Sequence, residues 1–164
     1  MLEACKCGET KVVQLLLDRC NSEESGLNVK EEYESTALMW ACCNGHKDVV
    51  RLLLDHSERI DLNVTNNLGH SALILACRNG HKDVVKLLLD HSERIELNAR
   101  NNIGRTAFIQ ACAKGHKDVV QLLLNHSERI ELNARDTIGR TALMIARQRG
   151  HQEVVQLINS KSNQ

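Results

Sequence analysis

The string Gly-His-Lys-Asp-Val-Val occurs three times at a fixed interval, beginning at Gly45, Gly80 and Gly115. A related string, Gly-His-Gln-Glu-Val-Val, begins at Gly150, again 35 residues later, and a weaker copy begins at Gly8, 37 residues before Gly45. These five copies in one register constrain the fold more than any other feature. Self-similarity at a fixed period of this size is the signature of a stacked repeat architecture.

Each unit divides into two helices and a loop. In the third unit, Ser71 is a suitable N-cap for a short helix over residues 71–79, which Gly80 ends in a left-handed turn. Residues 82–92 have the broad apolar face of a second helix. An extended loop and a turn containing Gly104 lead into the next unit. Because no unit can bury its apolar face alone, we expect neighbouring units to stack.

Two segments carry a family pattern most clearly. They run Asp136-Thr-Ile-Gly-Arg-Thr-Ala-Leu-Met-Ile-Ala146, followed by Gly150-His151, and Asn101-Asn-Ile-Gly-Arg-Thr-Ala-Phe-Ile-Gln-Ala111, followed by Gly115-His116. This layout resembles the ankyrin repeat over essentially the whole chain. The resemblance implies two antiparallel helices per repeat, with a β-hairpin-like loop standing off at about a right angle.

The sequence therefore predicts an all-α ankyrin-repeat solenoid with a 35-residue period and about five repeats, the first of them partial. We expect one domain, residues 1–164, with repeats at approximately 1–30, 31–65, 66–100, 101–135 and 136–164.

Three departures from the family pattern matter. The family's proline is replaced by Ala37, Ala72, Ala107 and Ala142, and alanine should still begin the first helix of each unit. The two residues beyond the usual period fall after the second helix and predict an extra turn or a longer loop. Glu34 replaces the hairpin glycine of the second repeat, which predicts an irregular turn there.

Composition and the lack of membrane or export signals predict the cellular compartment and the redox state of the cysteines. No apolar run approaches the ~20 residues of a membrane span, and the N-terminal residues lack the order of a signal peptide. We therefore expect an intracellular, cytoplasmic protein in which the seven cysteines are reduced thiols. Cys20, and the pairs Cys5 with Cys7 and Cys42 with Cys43, remain candidate oxidation sites.

The recurrent cysteines and histidines could suggest a metal or catalytic site. Cys5, Cys42, Cys77 and Cys112 share one repeat position, but stacked helices lie ~10 Å apart, too far for a shared zinc ion or a disulfide. We predict that they are small core residues. The histidines after the turn glycines and at the ends of the second helices also recur in register, which favours a scaffold role. The sequence predicts no enzyme activity, cofactor or metal.

An asparagine recurs in the loop of each unit, at Asn28, Asn63, Asn98 and Asn133. In ankyrin proteins this residue satisfies hairpin backbone groups, and in some members it is hydroxylated by an oxygenase. The resemblance implies the structural role for this chain, with hydroxylation as a side hypothesis.

Positions that vary while the scaffold repeats indicate where a partner binds. One apolar side chain recurs at each hairpin tip, and arginine and lysine residues flank this column. Apolar anchors surrounded by arginine are a common composition of binding surfaces. The candidate partner-binding residues are Tyr33, Leu68, His70, Arg78, Ile103, Arg105, Lys114, Ile138, Arg140 and Arg149. The alternative is that the apolar tip residues pack on each other and stiffen the hairpins.

The predicted function is a protein–protein interaction scaffold that binds on the concave face formed by hairpin tips and first helices. The alternative is a structural spacer, or an array that self-associates weakly through its N-terminal face. Residues 1–65 carry 7 Lys/Arg against 12 Asp/Glu, and residues 66–164 carry 14 against 9, so the basic half should favour an acidic or mixed-charge ligand. The zero net charge and scarce aromatics argue against nucleic-acid binding.

Overall fold

The described part of the chain forms five consecutive helix pairs. The structure is a computed structural model, and it describes residues 1–19, 28–30 and 32–162. The helices are α1 Leu2–Cys7, α2 Thr10–Arg19, α3 Ala37–Asn44, α4 Lys47–Asp55, α5 Ala72–Asn79, α6 Lys82–Asp90, α7 Ala107–Lys114, α8 Lys117–Leu124, α9 Ala142–Gln148 and α10 Gln152–Ser162. The predicted all-α repeat solenoid is confirmed. Residues 20–27, which include Cys20, lie outside the described residues.

The odd-numbered helices from α3 to α9 begin in the same way. A hydroxyl at the N-cap accepts a hydrogen bond from the backbone N–H three residues on, and the helix itself begins at the predicted alanine. The N-caps are Thr36, Ser71, Thr106 and Thr141. Helices α3, α5 and α7 end at a glycine in the left-handed conformation, for example Gly80 with φ 77°. Each hydroxyl satisfies a backbone donor that would otherwise be unpaired.

The helices form two layers. Each odd-numbered helix packs against the next odd-numbered helix, and α2, α4, α6 and α8 pack against each other in the same order. The second layer buries one face only, such as Val84, Val85, Leu88 and Leu89 of α6. The core is one continuous cluster of apolar side chains running along the array, as expected when repeats bury their apolar faces against neighbours.

The two extra residues of the period form an additional turn. Ser57–Arg59 is a short 3-10 turn directly after α4. The turn provides contacts between units, because Arg94 Nη2 donates to the Ser57 carbonyl at 2.6 Å and Arg129 Nη2 donates to the Ser92 carbonyl at 2.8 Å. The sequence-based expectation of an extra turn is therefore confirmed.

The turn at Glu34 is irregular, as the missing glycine predicts. Residues Glu32–Glu34 form a distorted 3-10 turn in which Tyr33 and Glu34 have φ of 60° and 58°. The corresponding turns use glycine at this point, for example Gly69 with φ 72°. A non-glycine residue in this region costs about 1–2 kcal/mol.

Replacing Glu34 with glycine should stabilise the chain. We expect Glu34→Gly to raise the free energy of unfolding by about 1 kcal/mol, because the strain at residue 34 is relieved. Urea denaturation followed by circular dichroism measures the change. Glu58→Gly is the matched control, since Glu58 is also exposed but lacks positive φ, and it should not stabilise. Equal effects of the two substitutions would show that loss of negative charge is responsible.

Candidate functional surface

The hairpin tips are fixed by one side chain each. The Asn66 side-chain oxygen accepts from the backbone N–H groups of Leu68 and His70 at 3.0 and 2.9 Å. Asn101 and Asp136 make the same pair of bonds in the next two units. These short polar side chains replace backbone partners within a tight turn, so the residues after them are held in a defined direction.

Successive tips are also joined to each other. The backbone N–H of Asn67 donates to the Tyr33 carbonyl at 3.1 Å, that of Asn102 to the Leu68 carbonyl at 3.2 Å, and that of Thr137 to the Ile103 carbonyl at 3.1 Å. The carbonyl acceptors therefore belong to the apolar tip residues. Backbone hydrogen bonds thus connect successive tips into a ladder, and the side chains of the apolar tip residues take no part in it.

The apolar tip residues are exposed. Tyr33, Leu68, Ile103 and Ile138 have 61, 53, 48 and 69% of their surface accessible. Any packing of these residues on one another therefore leaves about half or more of each residue exposed. They form a row with one apolar side chain per unit, which we call the tip row.

Two depressions lie between the tip row and the odd-numbered helices. The first, of about 200 Å³, lies between Tyr33 and Leu68 and has Met39, Trp40 and Leu75 on its walls. We call it the apolar depression.

The second, of about 250 Å³, lies between Leu68 and Ile103. Arg78, Lys114 and Arg149 line it, and we call it the basic depression. His70 and Arg78 line both depressions, whereas Ile138 and Arg140 line neither.

The predicted cations have different surroundings. Lys114 and Arg149 are exposed and Arg78 is half-buried. Arg149 Nη1 donates to the Ala113 carbonyl at 2.7 Å, which directs that side chain back along the surface. Within the described residues, Arg78 and Lys114 have no carboxylate partner. These groups leave uncompensated positive charge at the basic depression.

Arg105 differs from the sequence-based expectation of an exposed flank. It is only 9% exposed, and its Nε lies 3.4 Å from Asp136 Oδ2. Arg140 also binds this carboxylate, with Nη2 at 2.9 Å and Nε at 3.1 Å. The sequence pattern could not distinguish an exposed arginine from one turned inward to a carboxylate in the next unit.

Asp136 is an ionised carboxylate inside the structure. Its side chain is 2% exposed, and burial by itself raises its pKa. Hydrogen bonds from the Arg140 side chain and from the backbone amides of Arg140 and Ile138 outweigh burial, so the pKa lies below its ordinary value. The group therefore joins two hairpins instead of facing a ligand.

His70 is also buried, contrary to its expected place on an open surface. It is 5% exposed, and its Nδ1 has no hydrogen-bond partner within the described residues. Burial, with a smaller contribution from Arg78, lowers its pKa, which favours the neutral ring. Arg105 binds Asp136, 31 residues further on; the corresponding residue for His70 is Asn101, whose side-chain oxygen already accepts from two backbone donors.

The recurrent cysteines are core residues, as predicted. Cys5, Cys42, Cys77 and Cys112 are fully buried. Burial raises the pKa of the Cys5 thiol to about 11 and raises the pKa of the other three thiols further. Protonated, buried thiols are poor nucleophiles and metal ligands. The described residues contain no cluster of His, Cys, Asp and Glu suited to a metal ion.

The histidines after the turn glycines are structural. His46, His81, His116 and His151 each donate from Nε2 to a backbone carbonyl of the preceding unit, at 3.0, 2.9, 2.9 and 3.2 Å. The second histidine column is local, since His56 and His91 bond through Nδ1 to a carbonyl four residues earlier. Both columns serve the scaffold.

The loop asparagines also join units. Asn63 donates to the Arg94 carbonyl at 2.9 Å and accepts from the backbone N–H of Glu96 at 2.8 Å. Asn28 and Asn98 repeat both contacts with their own following units. The predicted backbone-satisfying role is confirmed for these three residues.

The sequence analysis did not identify the helix residues that line the apolar depression. Trp40, Met39 and Leu75 lie in the first helices, where an apolar residue is expected in the core. The only tryptophan of the chain is instead part-exposed beside the tip row. Trp40 lies one helical turn after the N-cap Thr36, and this position close to the hairpin tip could have indicated that it lies beside the tip row.

The chain matches known proteins in agreement with this architecture. A family model described as ankyrin repeats (3 copies) matches residues 1–101 and 93–164. The chain is 44% identical over 55 residues to osteoclast-stimulating factor 1 of Monopterus albus, covering 34% of this chain and 24% of the relative. It is 36% identical over 56 residues to a putative ankyrin repeat protein of Acanthamoeba polyphaga mimivirus, covering 34% and 42% respectively. The match thus spans less than half the length of either relative.

Ankyrin repeats generally mediate protein–protein interaction, and the family is one of non-enzymatic scaffolds. Within the described residues, no helix combines the length and apolar character needed to cross a bilayer. The family model covers every residue from 1 to 164, and the helix pairs, the glycine–histidine contacts and the joined hairpin tips recur with it. The chain belongs to the ankyrin repeat family.

Proposed function

We propose that this chain is a protein-interaction scaffold whose partner binds along the tip row and the adjoining odd-numbered helices. The observation that supports it is the exposure of four apolar side chains in one row, beside cations without carboxylate partners. The row is discontinuous, with one apolar side chain per unit, and apolar anchors flanked by arginine are a common composition of binding surfaces. The hairpin ladder holds the row rigid, which limits the ordering cost of binding.

Replacing two central members of the row should abolish partner capture. We expect Leu68→Asp combined with Ile103→Asp to lower capture at least tenfold, because each change places a charge where an apolar anchor is buried. Affinity purification from cells that produce the protein, followed by mass spectrometry, identifies what the wild type retains. The double variant is then compared for the same bound proteins.

Leu15→Asp is the matched control. Leu15 is 61% exposed on α2, away from the tip row, so this variant should retain the partner. Circular dichroism should show unchanged helix content in both variants. Normal capture by a folded Leu68→Asp/Ile103→Asp chain would overturn the proposed surface.

Self-association is the second candidate function. Helix α2 exposes Val12 at 40% and Leu15 at 61%, an apolar pair at the N-terminal end of the array. Light scattering distinguishes the two functions, because concentration-dependent dimers that disappear in the Leu15→Asp variant would favour assembly. A monomer at all concentrations would leave the scaffold function as the better explanation.

A further inference from the structure

We propose that the two depressions form a bipartite site for an extended peptide, with a large apolar side chain in the apolar depression and an acidic side chain in the basic depression. The proposal rests on the scaffold function and specifies the chemistry of its partner. It commits to a linear segment that carries one apolar anchor and one carboxylate at a fixed separation.

The apolar depression fits one large side chain. Tyr33 and Leu68 stand on either side of it, and Met39, Trp40 and Leu75 line it from the helices. Aromatic and aliphatic walls around a space of about 200 Å³ suit leucine, methionine or phenylalanine. Anchoring of one such side chain in a preformed pocket is a frequent basis of peptide affinity.

The basic depression supplies the complementary charge. Arg78, Lys114 and Arg149 converge on it, and no carboxylate side chain is among the residues that line it. Asp136, an acidic group of the hairpin tips, is already bound to Arg105 and Arg140. A ligand carboxylate would therefore meet cations that the described chain does not neutralise, and such complementarity determines specificity and register.

Among the described residues, His70 is an unsatisfied polar group at the boundary of the two depressions. It lines both of them, it is 5% exposed, and its Nδ1 lacks a partner in the described structure. Buried polar atoms are nearly always hydrogen-bonded in folded proteins. Because this nitrogen is itself enclosed, a peptide passing between the depressions would bond to it only if the ring turned outward.

The spacing of the two groups in the ligand follows from the repeat. The depressions belong to successive helix pairs, and packed helices lie about 8–10 Å apart. A peptide in the polyproline II conformation rises about 3.1 Å per residue and has three residues per turn, so side chains three positions apart point to the same side. The apolar and acidic side chains should therefore be about three residues apart, with closer or wider spacings binding less well.

A displayed library of random 12-residue peptides tests this inference. We expect selection on the folded full chain to enrich an apolar and an acidic residue three positions apart. Synthetic versions of the selected peptides should change the fluorescence of Trp40, the only tryptophan, because it lines the apolar depression. Arg78→Glu and Lys114→Glu should each lower peptide affinity by about tenfold.

Lys86→Glu is the matched charge control. Lys86 is exposed on α6 and lines neither depression, so its variant should bind within about twofold of the wild type. Failure to enrich any peptide, enrichment without an acidic residue, or equal loss in all three variants would overturn the bipartite site. If protein capture still depended on Leu68 and Ile103 in that case, the partner would be a folded surface and the scaffold function would stand.

Discussion

Gly80→Ala should lower the free energy of unfolding by about 3 kcal/mol, whereas Gly150→Ala should cost about 1 kcal/mol. Both glycines have nearly the same left-handed backbone, with φ of 77° and 76°, so both substitutions carry the same conformational penalty. A Cβ at residue 80 would lie 2.6 Å from His116 Nδ1, while a Cβ at residue 150 would meet nothing within 4 Å. The difference between the two variants isolates the cost of displacing His116.

The size of that difference follows from what His116 does. Its Nε2 donates to the Arg78 carbonyl at 2.9 Å, and a net hydrogen bond of this kind contributes about 0.5–1.5 kcal/mol. Moving the ring also disturbs packing between α5 and α7. Urea denaturation followed by circular dichroism gives the two free energies.

A double-mutant cycle separates the clash from other effects. Gly80→Ala combined with His116→Ala should cost clearly less than the sum of the single variants, because the ring that collides with the new methyl group is gone. Strict additivity would show that residue 80 and residue 116 do not interact, and would assign the whole loss to backbone strain.

The repeat itself made most of the fold predictable. A period that places Gly-His before α4, α6, α8 and α10 and begins α3, α5, α7 and α9 with alanine leaves stacked helix pairs as the consistent solution. The Ser71 cap, the buried cysteines and the irregular turn at Glu34 all followed from single positions read in register. Local rules and the global pattern agreed there, which is the condition under which sequence specifies structure.

The candidate surface was less predictable, because it depends on how side chains from different units meet. The sequence identified the tip row, but it could not show that Arg105 turns inward to Asp136 or that His70 is enclosed. The residue 31 positions further on is Asp136 for Arg105, which binds it, and Asn101 for His70, which makes no hydrogen bond to the His70 Nδ1. Comparing each position with the one 31 residues later would have matched Arg105 with Asp136 and His70 with Asn101.

Asp136→Asn should reduce the free energy of unfolding by about 2–3 kcal/mol at pH 7. The amide keeps an oxygen for the backbone N–H groups of Ile138 and Arg140, but it removes the charge that binds Arg105 and Arg140. Removing one partner of a buried pair costs about 3–5 kcal/mol. The expected loss is smaller because the Arg140 side chain is 32% exposed and can be hydrated. Asp118→Asn is the control, since Asp118 makes only a surface contact of 3.6 Å to Lys82, and it should change stability by less than about 1 kcal/mol.

The difference in unfolding free energy between the wild type and Asp136→Asn should disappear at low pH. The pKa of Asp136 is held below its ordinary value by Arg140, so its stabilising contribution is fully present above about pH 4, the ordinary aspartate pKa. That contribution is lost as the pH falls through the lower pKa of the folded state, because a protonated carboxyl no longer attracts the two guanidinium groups. The unfolding free energies of the wild type and Asp136→Asn should therefore converge toward pH 2. A gap that stays constant from pH 7 to pH 2 would mean that Asp136 acts through its shape and hydrogen bonds and not through its charge.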